Sequence, residues 1–141
     1  MTQLFISHSS QDDAFVRELR ATLADHGQEG WIDSRELHGG DPLWPEIKKA
    51  IDAASAYAVV VSPSALQSDW VSDELEYALK VQKKRGRAEF PVIPLLLDGA
   101  KLGAFKKLIG TEPLHIPVSS DAGGVEAAMN AILVAVGQRH P

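Results

Sequence analysis

The fold is decided by the stretch YAVVVSPSALQSDWVSDELEYALK, residues 57–80. Its first five residues, Tyr57 to Val61, are continuously apolar, as is typical of parallel strands that are covered on both faces. Ser62-Pro63 ends that strand. Apolar residues then recur at helical spacing and form one stripe, which consists of Val71, Leu75, Ala78 and Leu79. A buried strand followed directly by an amphipathic helix predicts one βα unit of a parallel sheet.

Glu74 occupies an unusual position on this helix. At 3.6 residues per turn it lies about 85° from the centre of the apolar stripe, so we expect it at the rim of the core. Its neighbours one turn away are Trp70 at i−4 and Tyr77 at i+3, whereas Asp73 and Glu76 project toward water. A half-buried surface glutamate is the ordinary interpretation of such a position, and a functional carboxylate is the alternative.

The same alternation of strand and helix runs along the whole chain. Short apolar strands are predicted at residues 4–6, 31–33, 57–61, 90–97 and 114–116. Between and after them, helices are predicted at residues 10–27, 41–54, 68–86, 100–108 and 125–136. The first helix is expected to begin at a capping box, Ser10 to Asp13. Five such units predict one domain, residues 1–141, with a flavodoxin-like three-layer α/β fold: a five-stranded parallel sheet flanked by helices.

The composition limits the classes of function. Of 141 residues 45% are hydrophobic, so one core-forming domain is expected, and the net charge of −5 argues against a nucleic-acid partner. The basic run Lys83 to Arg85 fits a solvated helix end. There is no cysteine, and the five histidines include no i, i+4 pair, so we predict no metal site. Without a signal-peptide core or a membrane-length apolar segment, the protein is expected in the cytoplasm with no membrane partner.

Polar residues follow the first three predicted strands: Ser7-His8-Ser9, Asp33 and Ser62-Pro63. Ligands of parallel α/β sheets bind at the carboxyl ends of the strands, where the strand order reverses. The first turn, SHSSQD, has no glycine, which excludes a dinucleotide-binding Rossmann fingerprint, and no P-loop or G-x-S-x-G pattern occurs. The first and third strands end in Ser-His and Ser-Pro, without the aspartates of a response-regulator phosphoacceptor site.

Three stretches of the chain resemble the TIR domain family when they are taken in order. They are FISHSSQDDAFVRELRATLADHG (5–27), WIDSRELHGGDPLWPEIKKAI (31–51) and VVVSPSALQSDWVSDEL (59–75). The motifs are F-I-S-H at the first strand, a strand ending in I-D before a long loop, V-S-P after the third strand, and W-x-x-x-E-L on the next helix. Each motif alone is weak, but their order and spacing are specific. The resemblance implies the family fold, a five-stranded parallel sheet flanked by helices.

The resemblance implies one of two activities. Some members of the family are NAD⁺ nucleosidases with a catalytic glutamate on this helix, and the W-x-x-x-E match assigns that role to Glu74. In such members NAD⁺ is the substrate, and no cofactor is expected. Other members are adaptors that act by assembly alone. The long loop here carries Gly39-Gly40 where many animal adaptors carry Pro-Gly, and AAMNAILVAVG lacks the Phe-Trp motif of animal receptors. We therefore favour the prokaryotic, enzymatic branch, for which the resemblance implies a role in antiviral defence or, as the alternative, in virulence.

The remaining candidate residues are expected to bind the substrate. Backbone N–H groups at Ser7, His8 and Ser9, where the first strand feeds its helix, suit a diphosphate. Each of the other candidates has a binding role and an ordinary structural alternative. The two roles are a contact with a ribose hydroxyl or a loop cap for Asp33, and a pair with phosphate or plain solvent exposure for Arg35. For Trp44 and Trp70 they are stacking on a base of the substrate or packing in the core. These candidates are Asp33, Arg35, Trp44 and Trp70. Glu46, the competing carboxylate, is expected to be solvated.

The loop of residues 34–41 is predicted to mediate self-association. It has two glycines, three charged residues, one histidine and one large apolar side chain, Leu37, so it buries little apolar surface. In enzymatic members of the family, neighbouring domains pack through this loop and complete the site. The chain starts at a methionine and stops just after its last predicted helix. A domain excised from a longer protein with a fused sensor is one interpretation of these limits.

Overall fold

The computed structural model describes residues 3–28, 31–33, 44–109 and 115–137. The strands are β1 (Leu4–Ser7), β2 (Trp31–Asp33), β3 (Ala56–Val61), β4 (Val92–Leu97) and β5 (Ile116–Val118). The helices are α1 (Asp13–Asp25), α2 (Trp44–Ala53), α3 (Pro63–Leu66), α4 (Asp69–Arg85), α5 (Lys106–Ile109) and α6 (Gly124–Ala135). Short 3-10 turns, Ser10–Asp12 and Gly103–Phe105, precede α1 and α5.

The five strands form one parallel sheet with the order β2-β1-β3-β4-β5. The chain runs from β1 outward to β2 and then crosses back to β3 on the other side of β1. The strand order therefore reverses between β1 and β3, where α/β folds open their ligand crevices. The predicted five-stranded parallel α/β fold is confirmed.

Each face of the sheet carries its own hydrophobic core. Side chains of α1 and α6 pack on one face together with Leu4 and Ile6 of β1. Side chains of α2 and α4 pack on the other face together with Phe5. The alternation along β1 follows from the two-residue period of a strand, and it assigns Ser7 to the same face as Phe5. All six residues of β3 are buried, as expected for a central strand with both faces covered.

The element boundaries correct several expectations. The fourth strand begins at Val92, two residues later than predicted, and the fifth spans Ile116–Val118, while the predicted start at Leu114 lies outside the described residues. The predicted helix at 100–108 is a 3-10 turn followed by the four residues of α5. Ser62-Pro63 does end β3, but it also starts α3, because the Ser62 hydroxyl accepts a hydrogen bond from the Ala65 N–H.

Two caps place the first and fourth helices. Ser9, and not Ser10, caps the turn before α1, because its hydroxyl accepts a hydrogen bond from the Gln11 N–H. Ser68 caps α4 through the Val71 N–H. Within the part of the chain that the structure describes, no helix has the length and apolar character that crossing a membrane requires.

Candidate active site

Glu74 lies inside the core, which corrects the expectation that it sits at the rim. Its residue surface is 0% exposed, whereas Asp73 and Glu76 on either side of it are exposed as predicted. The predicted angle related Glu74 only to the apolar stripe of its own helix, α4. In the structure α2 packs beside α4 on the same face of the sheet, so the buried sector of α4 is wider than that stripe. Burying a carboxylate is costly unless hydrogen bonds and charges compensate it.

Ser7 contacts the Glu74 carboxylate directly. The Ser7 hydroxyl donates a hydrogen bond of 2.7 Å to Glu74 Oε1, and Ser7 is itself 0% exposed. The alternation of β1 explains this contact, because it points Ser7 toward α4. The structure joins the Ser7 side chain to the candidate catalytic carboxylate, and the predicted contact of its backbone N–H with a diphosphate stays a prediction.

Tyr57 is a further residue of this site, and sequence reasoning missed it. Its ring is fully buried and stacks on Phe5 with a centroid separation of 5.6 Å and an interplanar angle of 10°. Burial raises the pKa of the Tyr57 phenol well above its usual value, the Glu74 charge raises it further, and the nearby Ser7 hydroxyl partly opposes the increase. One sequence feature could have indicated it: Tyr57 is the only residue with a polar group in the otherwise aliphatic run of residues 57–61. A buried tyrosine hydroxyl usually has a polar neighbour.

His8 and Ser9 have structural partners at the start of α1. His8 is 1% exposed, and its Nε2 lies 2.7 Å from Oδ1 of Asp13. Ser9 is buried and caps the turn that follows β1. Both residues thus tie the end of β1 to α1, and their contact with a substrate stays a prediction.

An aromatic cluster of Trp44, Trp70 and Tyr77 joins α2 to α4. The Trp44 ring meets the Trp70 ring edge-on at 5.9 Å and the Tyr77 ring at 6.1 Å. The ammonium of Lys48 lies 5.4 Å from the Trp44 ring centroid and 5.5 Å from that of Tyr77, within cation–π range. Burial raises the pKa of Tyr77, and its hydrogen bonds to Asp52, at 2.8 and 3.0 Å, raise it further.

This aromatic cluster borders a cleft of about 290 Å³ between the two helices. The cleft also presents carboxylates of Asp73 and Glu76 and the ammonium groups of Lys48 and Lys80. The two tryptophans are half-buried, so each offers part of its ring to the outside. The predicted stacking role of both rings is compatible with this geometry and stays a prediction.

A separate crevice of about 800 Å³ opens at the carboxyl ends of β3 and β4. Its lining includes Asp12, Ser62 and Asp98, and the Ser62 hydroxyl donates to Asp12 Oδ2 at 2.6 Å. Glu74 is not among the described residues that line it. The candidate catalytic carboxylate and the carboxyl-end crevice are therefore two different places in the fold.

Several predicted residues lie outside the described part of the chain. These are Arg35 and the loop of residues 34–41, and for Asp33 only the backbone of β2 is described. Glu46 is exposed, as expected for the competing carboxylate. Within the described ranges no three histidine or acidic side chains form a group that could hold a metal ion.

Comparison with known proteins supports the sequence resemblance. A family model for the TIR domain matches residues 4–129. The chain is 40% identical over 72 residues to the 2' cyclic ADP-D-ribose synthase BtTIR of Bacteroides thetaiotaomicron. That match covers 50% of this chain and 25% of the relative, so the matched region is about a quarter of the relative's length.

Two solved structures have a similar fold. The TIR domain of the Toll-related receptor TRR-2 from Hydra magnipapillata has a TM-score of 0.67 at 14% identity, covering 94% of this chain and 96% of that chain. The TIR domains of the activated Roq1 resistosome have a TM-score of 0.60 at 26% identity, covering 95% of this chain and 74% of that chain. The similarity in fold therefore extends over nearly the whole chain.

Proposed function

The chain belongs to the TIR domain family, and from this premise we propose that it is an NAD⁺ nucleosidase that cleaves the bond between nicotinamide and ribose. Attack of water on the ribose carbon gives nicotinamide, ADP-ribose and a proton, whereas attack by a group of the same molecule gives nicotinamide, cyclised ADP-ribose and a proton. The observation that carries the proposal is the Glu74 carboxylate, fully buried at the W-x-x-x-E position and bonded to Ser7. The similarity to a bacterial protein named as a cyclic ADP-ribose synthase supports it.

The chemistry of NAD⁺ explains why one carboxylate suffices. The nicotinamide ring is a pyridinium that leaves as a neutral molecule, so no general acid has to protonate it. Positive charge develops on the ribose as an oxocarbenium ion, whereas most glycoside hydrolases need a second carboxyl group for the leaving oxygen. A preorganised group that stabilises developing charge contributes about 3–4 kcal/mol. We assign this role to Glu74, with Trp70 one turn earlier as an apolar wall for the nicotinamide.

The burial of Glu74 supports activation by self-association. Because the residue is 0% exposed in a single chain, a ribose reaches its carboxylate only after surrounding segments move. We assign this movement to a neighbouring copy that packs through residues 34–41. Binding that favours the open form shifts the population toward it by mass action. The similarity to TIR domains solved within a resistosome agrees with such an assembly.

The test measures nicotinamide release from NAD⁺ over a hundredfold range of protein concentration. Release per molecule should rise with concentration, and Glu74→Gln should lower it by roughly 10²–10³. Glu46→Gln is the matched control, because it removes one exposed carboxylate from α2 and should leave release unchanged. Absence of nicotinamide even after forced clustering of the wild-type protein contradicts the proposed activity.

A mixing experiment tests whether two copies share one site. One variant carries Glu74→Ala, and the other carries Gly40→Val in the loop, where valine disfavours any positive φ. If each copy contributes a different part, the mixture regains part of the activity that neither variant has alone. Flat specific activity on dilution together with a dead mixture shows that one chain holds the whole site.

Full burial of Glu74 also favours a second candidate function, a TIR module that acts through protein interactions alone. In that case the bond between Ser7 and Glu74 is a structural tie within the core. The same incubations separate the two functions, because the interaction module releases no nicotinamide at any concentration. Size-exclusion chromatography would then still show concentration-dependent assembly.

We further propose that the activity serves antiviral defence in the cytoplasm of a prokaryote, with a fused sensor domain that triggers assembly. The Gly39-Gly40 pair and the bacterial relative support the prokaryotic assignment, and the relative is longer than the region that this chain matches. Sequencing the full reading frame tests the fused sensor. A frame that encodes no domain besides this one contradicts it.

A further inference from the structure

We propose that Ser7 is a positioning residue that holds the Glu74 carboxylate in one orientation, with Tyr57 as the neutral wall beside it. This inference rests on the proposed NAD⁺ cleavage and deepens it. It assigns the Ser7 hydroxyl to the catalytic carboxylate.

The Ser7 hydroxyl is anchored to the most constrained part of the sheet. Ser7 lies on β1, which pairs with β2 on one side and with β3 on the other, and its own partner in β3 is Val59. Glu74 reaches the sheet from α4 through a side chain with several rotatable bonds. The 2.7 Å hydrogen bond therefore ties a flexible carboxylate to a backbone that cannot shift without breaking the sheet. A hydroxyl in this place selects one rotamer of Glu74.

Tyr57 keeps the surroundings of the carboxylate neutral. Its ring is fixed by the stack on Phe5, two residues before Ser7 on the same strand. A tyrosine phenol is un-ionised at physiological pH even with its ordinary pKa of about 10, and burial of Tyr57 only strengthens this, so Tyr57 adds no second negative charge beside Glu74. Among the described residues, no hydrogen bond of ordinary geometry reaches the Tyr57 hydroxyl, although Ser7 lies close enough to influence its pKa. Ser7 thus contacts the Glu74 carboxylate and lies close to the Tyr57 phenol.

Ser62 provides a matched comparison within the same sheet. It ends β3 next to the end of β1, it is 3% exposed, and its hydroxyl donates 2.6 Å to the carboxylate of Asp12. Both serines are buried donors to a carboxylate, but only Ser7 serves the candidate catalytic residue. Ser62→Ala therefore removes an equivalent hydrogen bond without touching Glu74.

The experiment is a kinetic double-mutant cycle on the full chain under clustering conditions. Ser7→Ala should lower kcat for NAD⁺ cleavage by about 10- to 100-fold with KM unchanged. In a Glu74→Gln background the same substitution should cause no further loss, because its effect passes through the carboxylate. Ser7→Thr retains the hydroxyl and should recover most of kcat, while Ser7→Cys keeps the volume, weakens the donor and should resemble alanine.

Controls separate positioning from folding. Circular dichroism and thermal unfolding define the folded fraction of every variant, and kcat is expressed per folded molecule. Ser62→Ala is the stability control and is expected to lower the unfolding temperature, because Ser62 caps α3. Glu46→Gln, at the exposed carboxylate of α2, is the activity control and should leave kcat unchanged. Tyr57→Phe retains the ring and removes the hydroxyl, and should change kcat less than Ser7→Ala does.

The results distinguish this inference from the proposed function. If wild-type protein releases no nicotinamide, the nucleosidase proposal itself is wrong, and that is decided before any Ser7 variant is measured. If wild type is active and Ser7→Ala keeps full kcat, the positioning role is wrong while the nucleosidase stands. If Ser7→Ala lowers kcat equally in the wild-type and Glu74→Gln backgrounds, Ser7 acts independently of the carboxylate, and the inference is overturned.

Discussion

Replacing Glu74 by glutamine is expected to abolish most activity while leaving the fold at least as stable as the wild type. Glutamine has the same shape, and its amide oxygen can accept the hydrogen bond that Ser7 now donates at 2.7 Å. The substitution also removes an ionisable group from a position that is 0% exposed, where an ionised carboxylate opposes folding unless its partners compensate it fully.

Alanine at the same position should behave differently. It leaves the Ser7 hydroxyl without its acceptor and opens a cavity where the carboxamide of the glutamine variant would sit. From the typical costs of a buried unsatisfied donor and of a core cavity, Glu74→Ala should be about 2–4 kcal/mol less stable than Glu74→Gln. For a domain of this size, that difference corresponds to an unfolding temperature lower by about 5–15 °C.

Urea unfolding of the wild type and both variants, followed by circular dichroism, measures these differences. The expected order of stability places glutamine at or above wild type and alanine clearly below both. If Glu74→Gln is destabilised as strongly as Glu74→Ala, the ionised carboxylate itself holds the core together. The interpretation of Glu74 as a functional charge maintained inside the core would then be wrong.

Three further predictions concern the rest of the molecule. Hydrogen bonds from the Ser120 hydroxyl and then from the Ser120 N–H lower the pKa of Asp98 from its usual 3.8, so the folded protein favours the ionised carboxylate. The wild type should therefore be more stable than Asp98→Asn above about pH 5, and this difference should disappear as the pH falls below 3.8. Acid unfolding curves of the two proteins measure the difference. Gly124→Ala should destabilise the fold by roughly 1–3 kcal/mol in urea unfolding, because its Cβ would lie 2.1 Å from the carbonyl oxygen of Ser119; unchanged stability would contradict the close approach. NAD⁺ cleavage should continue in EDTA, since the neutral nicotinamide needs no Lewis acid to leave; loss of turnover that a divalent ion restores would reveal a metal requirement.

The sheet could be predicted from the sequence because each strand is short, apolar and followed by a helix with a clear period. The predicted ends of strands differ from the structure where one residue fits two local patterns. Pro63 was interpreted as the end of β3, but proline is also favoured in the first turn of a helix, and Ser62 before it caps α3. At the start of β4, Phe90 is buried and apolar, yet the strand pairing with β3 begins only after Pro91.

The candidate site was predictable only in part, because distances between elements are not encoded in local periodicity. The angle of Glu74 on its own helix predicted a rim position, but α2 and β1 close over it in the folded chain. The partnership with Ser7 joins residues 67 positions apart. Strand alternation predicts which face of the sheet Ser7 lies on. That α4 covers this face depends on tertiary packing, which the local pattern does not encode. Tyr57 was not predicted as a site residue, because in the sequence it is one of several apolar residues in a strand.

The central claim is that Glu74 supplies the charge that drives NAD⁺ cleavage, and the most direct measurement compares nicotinamide release by clustered wild-type protein and Glu74→Gln at equal folded concentration. Liquid chromatography of the quenched reactions quantifies nicotinamide and the ribose product together. We expect steady release by the wild type and a rate lower by roughly 10²–10³ in the variant. Equal rates in the two proteins, with both shown to be folded, would contradict it.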